Sequence, residues 1–205
     1  MDKLKEIIKY DKKIMTLLNI IAIIGIIAGS IFVVILNKSD KTLVITSIKD
    51  VFNNLQANKI DYIMTLKNAL LANSLFAFII WIIGISVVGV IITILIIFYK
   101  SFTLGFTIAS IIYTYSIKGT ILALFYIFPH LLMNVLIFLY LGSYSIKLSI
   151  ILIKSIFRKE NLNFKEFLNS YLRVLGISLA FIIISSFYET FIASYILKFI
   201  SGIIL

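Results

Sequence analysis

The chain has 205 residues, of which 61% are hydrophobic and 14% are charged, and its mean hydropathy is +1.12. A soluble domain is about half apolar and a quarter charged, so a soluble globular fold is excluded. Cysteine is absent and histidine occurs once, which excludes a disulfide framework, thiol catalysis, thiolate metal sites and most histidine-based hydrolases. The net charge of +10 comes from Lys and Arg placed between apolar runs, so it indicates membrane orientation, and we expect no nucleic acid partner.

Five apolar runs are candidates for crossing a membrane, because a bilayer core of roughly 30 Å needs about 20 apolar residues in a helix. They predict an all-α, polytopic membrane protein that forms a single integral membrane domain. The predicted spans cover residues 14–36, 69–99, 101–117, 120–146 and 174–197. Although Ala28-Gly29-Ser30 resembles a cleavage site, the first run is too long for a signal peptide, and we expect it to be kept as an anchor. The third run is short, so a re-entrant segment stays an alternative there.

The segments between the spans predict the orientation of the chain. Residues 1–13 are rich in Lys, and their apolar residues recur at helical spacing, as in an interfacial helix. Residues 147–173 are also basic, and Lys100 lies between the second and third runs. The positive-inside rule puts these segments in the cytoplasm and puts residues 37–67 and the C-terminus outside. We therefore place Lys100 in a cytoplasmic turn and expect no Lys or Arg deep within the membrane.

The external segment contains a second amphipathic pattern. Apolar side chains recur there every three to four residues among Asp and Asn, which predicts a short external helix. The stripe consists of Val44, Ile48, Phe52 and Leu55. Since a short helix cannot bury such a stripe alone, the stripe must lie on the membrane, pack on the bundle or meet a partner. We take these four side chains as candidates for docking a partner.

Polar residues within the predicted spans are the candidates for function, because ionisable groups are costly at bilayer depth and face protein or water. The intramembrane set is Tyr126, His130, Asn134, Ser185 and Glu189. The first three lie four residues apart on one face, beside Pro129, which is expected to kink its helix. Two interpretations stay open: a pathway for protons or a small solute, or hydrogen bonds that hold the helices together.

Other features of the sequence argue against catalysis. The chain has no Gly-rich phosphate loop, no paired carboxylates on one element and no acidic metal cluster. We therefore expect no enzymatic activity, no cofactor and no metal ion. In the first span Gly25 and Gly29 have a GxxxG spacing, which predicts close helix packing, and a homo-oligomer is left open.

Several short motifs follow one another between residues 67 and 198. They are Trp81-Ile82-Ile83-Gly84-Ile85-Ser86-Val87-Val88-Gly89, Lys100, Gly105-Phe106-Thr107, Lys118-Gly119, Pro129, and Ser185-Ser186-Phe187 followed by Glu189 and Phe191. In their order and spacing these motifs resemble the stage II sporulation protein M family.

The resemblance implies a role in endospore formation, in the septal and engulfing membranes of the mother cell. It implies a non-enzymatic scaffold, required for engulfment and septal peptidoglycan remodelling, that anchors two cell-wall hydrolases: a lytic transglycosylase and an amidase/endopeptidase. Its partners would be these enzymes and the lipid bilayer. Because broader relatives occur beside ATP-binding subunits, the alternative is the membrane subunit of an ATP-driven peptide or bacteriocin exporter. The basic segment 147–173 would then be the coupling helix for the ATPase.

Overall fold

The computed structural model describes residues 11–57, 61–158 and 164–196, and these ranges are helical with no strand. The six α-helices are α1 (Lys12–Ile35), α2 (Lys38–Gln56), α3 (Tyr62–Gly84), α4 (Gly89–Leu122), α5 (Phe128–Arg158) and α6 (Phe164–Phe187). Two π-helices complete the order: π1 (Ala123–Ile127) joins α4 to α5, and π2 (Tyr188–Ala193) continues α6. Most of the predicted interfacial segment 1–13 lies outside the described residues.

Five of these helices are long and apolar enough to cross a membrane, namely α1, α3, α4, α5 and α6. The prediction of an all-α, polytopic membrane protein is confirmed. The sixth helix, α2, is the short helix predicted between the first two spans.

Three polar side chains define where the first helices begin. The Asp11 carboxylate accepts hydrogen bonds from the backbone N–H groups at the start of α1, and the Asp61 carboxylate does the same for α3. The Asn37 side chain accepts from the backbone N–H of Asp40 at 2.8 Å and so caps α2. Because the first N–H groups of a helix have no partner within it, such residues mark its start.

The predicted second span, 69–99, is wrong in its bounds. Helix α3 ends at Gly84, and α4 begins at Gly89 after a tight turn in which the backbone N–H of Gly89 donates to the carbonyl of Ser86 at 3.1 Å. The turn is itself mostly apolar, so hydropathy runs through it without a break. As a result Lys100, which we expected in this turn, lies in the middle of α4.

A sharp reversal within α4 forms the next turn. Ser116 has φ 53° and ψ −128°, and it is the described non-glycine residue with a positive φ. Beyond it the chain returns antiparallel, since Thr93 lies beside Ser145 and Ile97 lies beside Gly142. The turn predicted near Lys118 is thus found at Ser116. The predicted span 101–117 is the second half of a longer helix, so the re-entrant alternative is not what the structure shows.

The predicted basic segment 147–173 also differs from the structure. Helix α5 continues to Arg158, and α6 begins at Phe164, so most of this segment forms the ends of two spanning helices. Lys154 is exposed within the last turns of α5. The apolar residues on the buried side of α5 continue beyond its first charged residue. Our count of apolar runs stopped at that charge and therefore ended the span too early.

The closest helix contact joins α1 to α4. A Cβ at Gly29 would meet the carbonyl oxygen of Phe102, and a Cβ at Gly105 would meet that of Ile26. The GxxxG spacing therefore serves close packing within the chain, as predicted. Because Gly25 lies beside Ser101 and Gly29 beside Phe106, α1 and α4 run parallel. We call the end of the bundle where α1 begins the N-terminal end, and the end that carries α2 and the Ser116 reversal the far end.

Candidate functional site: a polar interior around Lys100, His130 and Glu189

Lys100 places a positive charge at mid-height in the bundle. It is 11 residues from Gly89 and 16 from Ser116, so roughly 16 Å and 24 Å of helix separate it from the two ends of the span. Its Nζ lies 3.7 Å from the centre of the Phe76 ring and 5.1 Å from that of Phe138. The faces of aromatic rings attract a cation, which offsets part of the cost of its burial.

Lys100 also interacts electrostatically with Glu189, which lies on π2. Both side chains are half-buried. The expectation that no Lys or Arg lies deep in the membrane is therefore wrong. The error arose because we placed the turn between α3 and α4 at Lys100. The interior therefore holds two ionisable side chains, one contributed by α4 and one by π2.

His130 and Ser185 join two of the helices directly. His130 is 6% exposed, and its backbone carbonyl accepts a hydrogen bond from Ser185 Oγ at 3.4 Å. This bond ties α6 to α5, which is the packing role left open for the intramembrane polar set. The side chain of Tyr126, the third member of that face, lies outside the part that the structure describes.

Several polar atoms of the interior have no hydrogen-bond partner within the described part of the chain. Asn134, one turn after His130, is 6% exposed, and its Oδ1 is among these atoms. Thr190 Oγ1 and Ser186 Oγ, beside Glu189, are two others. Since buried polar groups are nearly always hydrogen-bonded, these atoms are exceptions that stand close to Glu189 and His130 in the sequence.

The two π-helices meet in this region. Pro129 follows π1 directly, so the kink predicted at this residue takes the form of a widened turn just before it. Glu189 lies within π2, and π1 and π2 are in contact. Both π-helices therefore lie next to the ionisable residues that we predicted from the sequence. Turns of this kind occur often at functional sites.

A second polar cluster, near the N-terminal end, was not predicted. Ser145 Oγ donates to the Ile80 carbonyl at 3.0 Å, and Ser149 Oγ donates to the Gly84 carbonyl at 3.1 Å. The Tyr171 hydroxyl donates to the Trp81 carbonyl at 3.0 Å, and its ring stacks on the Trp81 indole. These three hydroxyls satisfy carbonyls where α3 ends. The spacing of Ser145 and Ser149, one helical turn apart, was the available signal.

The predicted docking stripe on α2 packs on the bundle at Phe52 and Ile48. Phe52 is 3% exposed and packs on Ile111, Leu122 and Ala123, with its ring 5.1 Å from that of Tyr115. These residues flank the Ser116 reversal. Of the alternatives for the stripe, packing on the bundle is therefore the one that the structure shows at Phe52.

The other members of the stripe add little free surface. Ile48 packs on the same cluster as Phe52, and Val44 is half-buried. The side chain of Leu55 lies outside the described part. The exposed side of α2 carries Leu43, Ser47, Asp50, Val51 and Asn54, which we call the outward face. It is polar except for Leu43 and Val51.

Comparison with known proteins assigns the chain to a family. The family model described as stage II sporulation protein M matches residues 18–194, which include both π-helices and all of the five spanning helices except residues 12–17 of α1. No curated protein and no solved structure matches the chain. Because the match covers most of the sequence, the chain belongs to the stage II sporulation protein M family.

Proposed function

We propose that this chain is a non-enzymatic scaffold of endospore formation that anchors cell-wall hydrolases, a lytic transglycosylase and an amidase/endopeptidase, in the engulfing membrane of the mother cell. Family membership and five spanning helices make it a sporulation-related, multi-pass membrane protein. The anchoring role is our proposal beyond that statement. The observation that supports it is α2, a helix outside the spans that packs firmly on the bundle.

Two contacts fix α2 on the bundle, so that its outward face can be presented to a partner. Phe52 fixes the C-terminal part of the helix on the Ser116 reversal within α4. The Lys41 ammonium fixes its start, since it donates to the Val34 carbonyl at 2.8 Å and lies over the Tyr113 ring. A rigid helix loses little conformational freedom when a partner binds, so its outward face can contribute to affinity.

The charge distribution supports an outward position for α2. At the N-terminal end, Lys12, Lys13, Lys154 and Arg173 are exposed, and the described acid there is Asp11. At the far end Asp residues are interspersed with Lys along α2 and the start of α3. Cationic segments are retained in the cytoplasm, so the N-terminal end faces the cytoplasm in our proposal and α2 faces the space between the membranes.

The experiment is capture of the amidase/endopeptidase partner by the tagged chain from sporulating cells. Replacing both Leu43 and Val51 with Ser removes the apolar part of the outward face and leaves the Phe52 anchor intact. We expect this variant to lose most of the captured partner while reaching normal abundance. The control is Ile63→Ser, because Ile63 is 81% exposed at the same end of the bundle but lies on α3.

Two results would count against the anchoring role of α2. One is equal capture by the Leu43/Val51 variant and the parent chain. The other is equal loss from Ile63→Ser, which would indicate a general effect of adding Ser to this end. Phe52→Ser is unsuitable as the test, because it would loosen α2 from the bundle and change every surface of the helix together.

The charged interior favours a second candidate, the membrane subunit of an ATP-driven peptide or bacteriocin exporter. A transport path requires polar groups inside the bundle, and Lys100 and Glu189 are such groups, whereas a scaffold has no need of them. The neighbouring genes distinguish the two functions. An adjacent ATPase gene with a small leaderless peptide gene supports export, and adjacent sporulation genes support the scaffold.

A further inference from the structure

The interior on the N-terminal side of Lys100 is closely packed and mainly apolar. Ala77, Ile80 and Leu141 are 0% exposed there and belong to one apolar cluster between α3, α5 and α6. Ser145 Oγ ties α5 to α3 in the same region, since it donates to the Ile80 carbonyl at 3.0 Å. A layer of packed side chains thus separates Lys100 from the N-terminal end of the bundle.

On the far-end side of Lys100 the buried residues are different. The Phe76 and Phe138 rings contact its ammonium from α3 and α5, and both helices run from the far end toward the N-terminal end. Three residues before Phe76 is Asn73, and four residues before Phe138 is Asn134. These two residues are 8% and 6% exposed. Because residues at such spacings share one face of a helix, each carboxamide lies on the side of its helix that carries the ring, one turn nearer the far end.

Helix α6 adds polar groups to this region from a third side. Ser185 Oγ donates to the carbonyl of His130, which is one turn before Asn134, so this part of α6 lies against the polar side of α5. Ser186 and Thr190, four residues apart, are each 0% exposed. Their hydroxyls and Asn134 Oδ1 have no hydrogen-bond partner in the described part of the chain. Water is the usual partner of such buried polar atoms.

The two ionisable side chains of the region point to water as well. Glu189 follows Ser186 by three residues and interacts electrostatically with Lys100. Within the described ranges, however, no carboxylate lies within 4 Å of the Lys100 ammonium. Ionisable groups at bilayer depth face protein or a water-filled cavity. Irregular backbone at this depth, such as that of π2, is tolerated where it is buried in protein or lines water.

We propose that the polar interior between α3, α5 and π2 is a water-filled vestibule that is entered from the far end and stops at Lys100. Its walls carry the carboxamides of Asn73 and Asn134 and the hydroxyls of Ser186 and Thr190. Its floor is the Lys100 ammonium with its two aromatic rings. It takes water and small hydrophilic solutes but does not cross the bundle, because the apolar cluster lies beyond the floor.

Reaction of single cysteines tests the vestibule, because the chain has no cysteine of its own. Ser186→Cys replaces only an oxygen atom with sulfur, so the variant should fold normally. The residue lies ten positions before the end of its span at Ile196, roughly 15 Å from that end. The probe is a small methanethiosulfonate with a quaternary ammonium group, which does not cross membranes. We expect it to modify this thiol from the far side, as measured by the mass of the protein.

Two control variants separate the vestibule from other routes. Ser145→Cys is the same substitution on the N-terminal side of Lys100. Leu71→Cys lies roughly 14 Å from the start of α3, but its side chain is 53% exposed on the outer surface of the bundle. From the far side both should react at least about tenfold more slowly than Ser186→Cys, because the reactive species is the thiolate, which requires water.

Two exposed positions show which side of the membrane the reagent reaches. Asn54→Cys on α2 marks the far side, and Lys154→Cys at the end of α5 marks the other side. Because they are labelled in the same preparation, the test holds for either orientation of the chain in the cell. Hydrolase capture plays no part in it, so the vestibule and the scaffold role can fail separately.

The charge at the floor provides a second test. The modification rate of Ser186→Cys with the cationic reagent is divided by its rate with an anionic sulfonate reagent of similar size. Lys100→Met should raise this ratio severalfold, since the ammonium no longer repels the cation or attracts the anion. Lys154→Met removes a charge at the N-terminal end and should leave the ratio unchanged.

The other outcomes overturn the proposal. Slow reaction at both Ser186→Cys and Asn134→Cys would mean that the interior is dry and that its polar groups serve packing alone. Equal rates at Ser186→Cys and Leu71→Cys would mean that the reagent arrives through lipid. Rapid reaction of Ser145→Cys from the far side would mean that the path continues past Lys100. A ratio that Lys100→Met leaves unchanged would remove this residue from the floor.

Discussion

The Lys100 ammonium lies 3.7 Å from the centre of the Phe76 ring, within the span formed by α4. Phe138 contributes a second ring from α5, and Glu189 acts on the same ammonium from π2. Three segments of the bundle, α3, α5 and π2, thus converge on one side chain of α4. An isolated charge at bilayer depth is unfavourable, so these contacts together offset part of the cost of burying Lys100. Each contact also links α4 to the segment that supplies it.

Charge removal at Lys100 and at Glu189 should be coupled. We expect Lys100→Met and Glu189→Gln each to lower the free energy of unfolding by roughly 2 kcal/mol, since each leaves the opposite charge without its counterpart. The double variant should lose about 1 kcal/mol less than the sum of the two. Thermal unfolding in detergent measures all three, and Lys154→Met, at an exposed site on α5, serves as the control. Strict additivity would show that the two charges do not interact.

The number of spans could be predicted from the sequence, whereas the position of one turn could not. Hydropathy identifies apolar length, and five long apolar helices are present. The turn between α3 and α4, however, is built from Ile85, Ser86, Val87 and Val88, so hydropathy does not fall there. We divided the second and third predicted spans at Lys100 because of its charge, and that boundary is wrong. Everything that we derived about the depth of basic residues depended on that choice.

The candidate site was predicted in part for a related physical reason. His130 and Glu189 are conspicuous because few ionisable residues occur in apolar runs, and both prove to lie near a π-helix. Tyr171 was assigned to a cytoplasmic segment and was therefore not considered as a hydrogen-bond donor within the bundle. The apolar stripe of α2 was recognised, but the sequence could not show that its partner is the reversal at Ser116, some 60 residues later.

Tyr171→Phe should destabilise the bundle through the loss of one hydroxyl. The Tyr171 hydroxyl donates to the Trp81 carbonyl at 3.0 Å, and without it that part-buried carbonyl loses this partner. We expect a loss of about 1–2 kcal/mol in the free energy of unfolding, seen as a lower melting temperature. Tyr195→Phe makes the same chemical change at a residue that is 74% exposed and should have little effect. An equal loss from both variants would argue against a specific role for this hydrogen bond.

Gly105→Ala should separate α1 from α4. The added methyl group would meet the main chain of Ile26, and backbone cannot move aside as the end of a side chain can. We expect much lower abundance in the membrane and a strong loss of thermal stability. Gly176→Ala is the matched control, because its methyl group enters open space and alanine favours the helix by up to about 1 kcal/mol. A normal melting temperature for Gly105→Ala would mean that the two helices are less closely packed than described.

The sidedness of the bundle can be tested with single cysteines, since the chain has none. We predict that a membrane-impermeant maleimide labels Asn54→Cys on α2 in cells whose outer layers have been removed, because this face lies outside the cytoplasm. Lys154→Cys, exposed at the end of α5, should be labelled only after the membrane is permeabilised. The reverse pattern would invert the orientation and would remove α2 from the side on which a cell-wall enzyme acts.

Ser116→Gly should stabilise the protein, because it relieves a backbone conformation that suits glycine. At φ 53° and ψ −128° the Cβ of a serine is crowded against its own main chain, whereas glycine adopts these angles freely. Strain of this kind costs of order 1–3 kcal/mol, and part of the gain is lost because glycine also makes the unfolded chain more flexible. We therefore expect a net gain of about 1 kcal/mol in the free energy of unfolding, measured as a higher melting temperature in detergent.

Ser86→Gly, in the turn at the N-terminal end, is the matched control for this prediction. Its φ is not positive, and its hydroxyl accepts a hydrogen bond from the backbone N–H of Val88 at 3.3 Å. Replacing it removes a bond and relieves no strain, so this variant should be less stable than the parent chain. The same substitution is thus expected to act with opposite sign at the two turns. If both variants lose stability, the reversal within α4 does not require the conformation described for Ser116, and the surface on which α2 packs would have to be placed elsewhere.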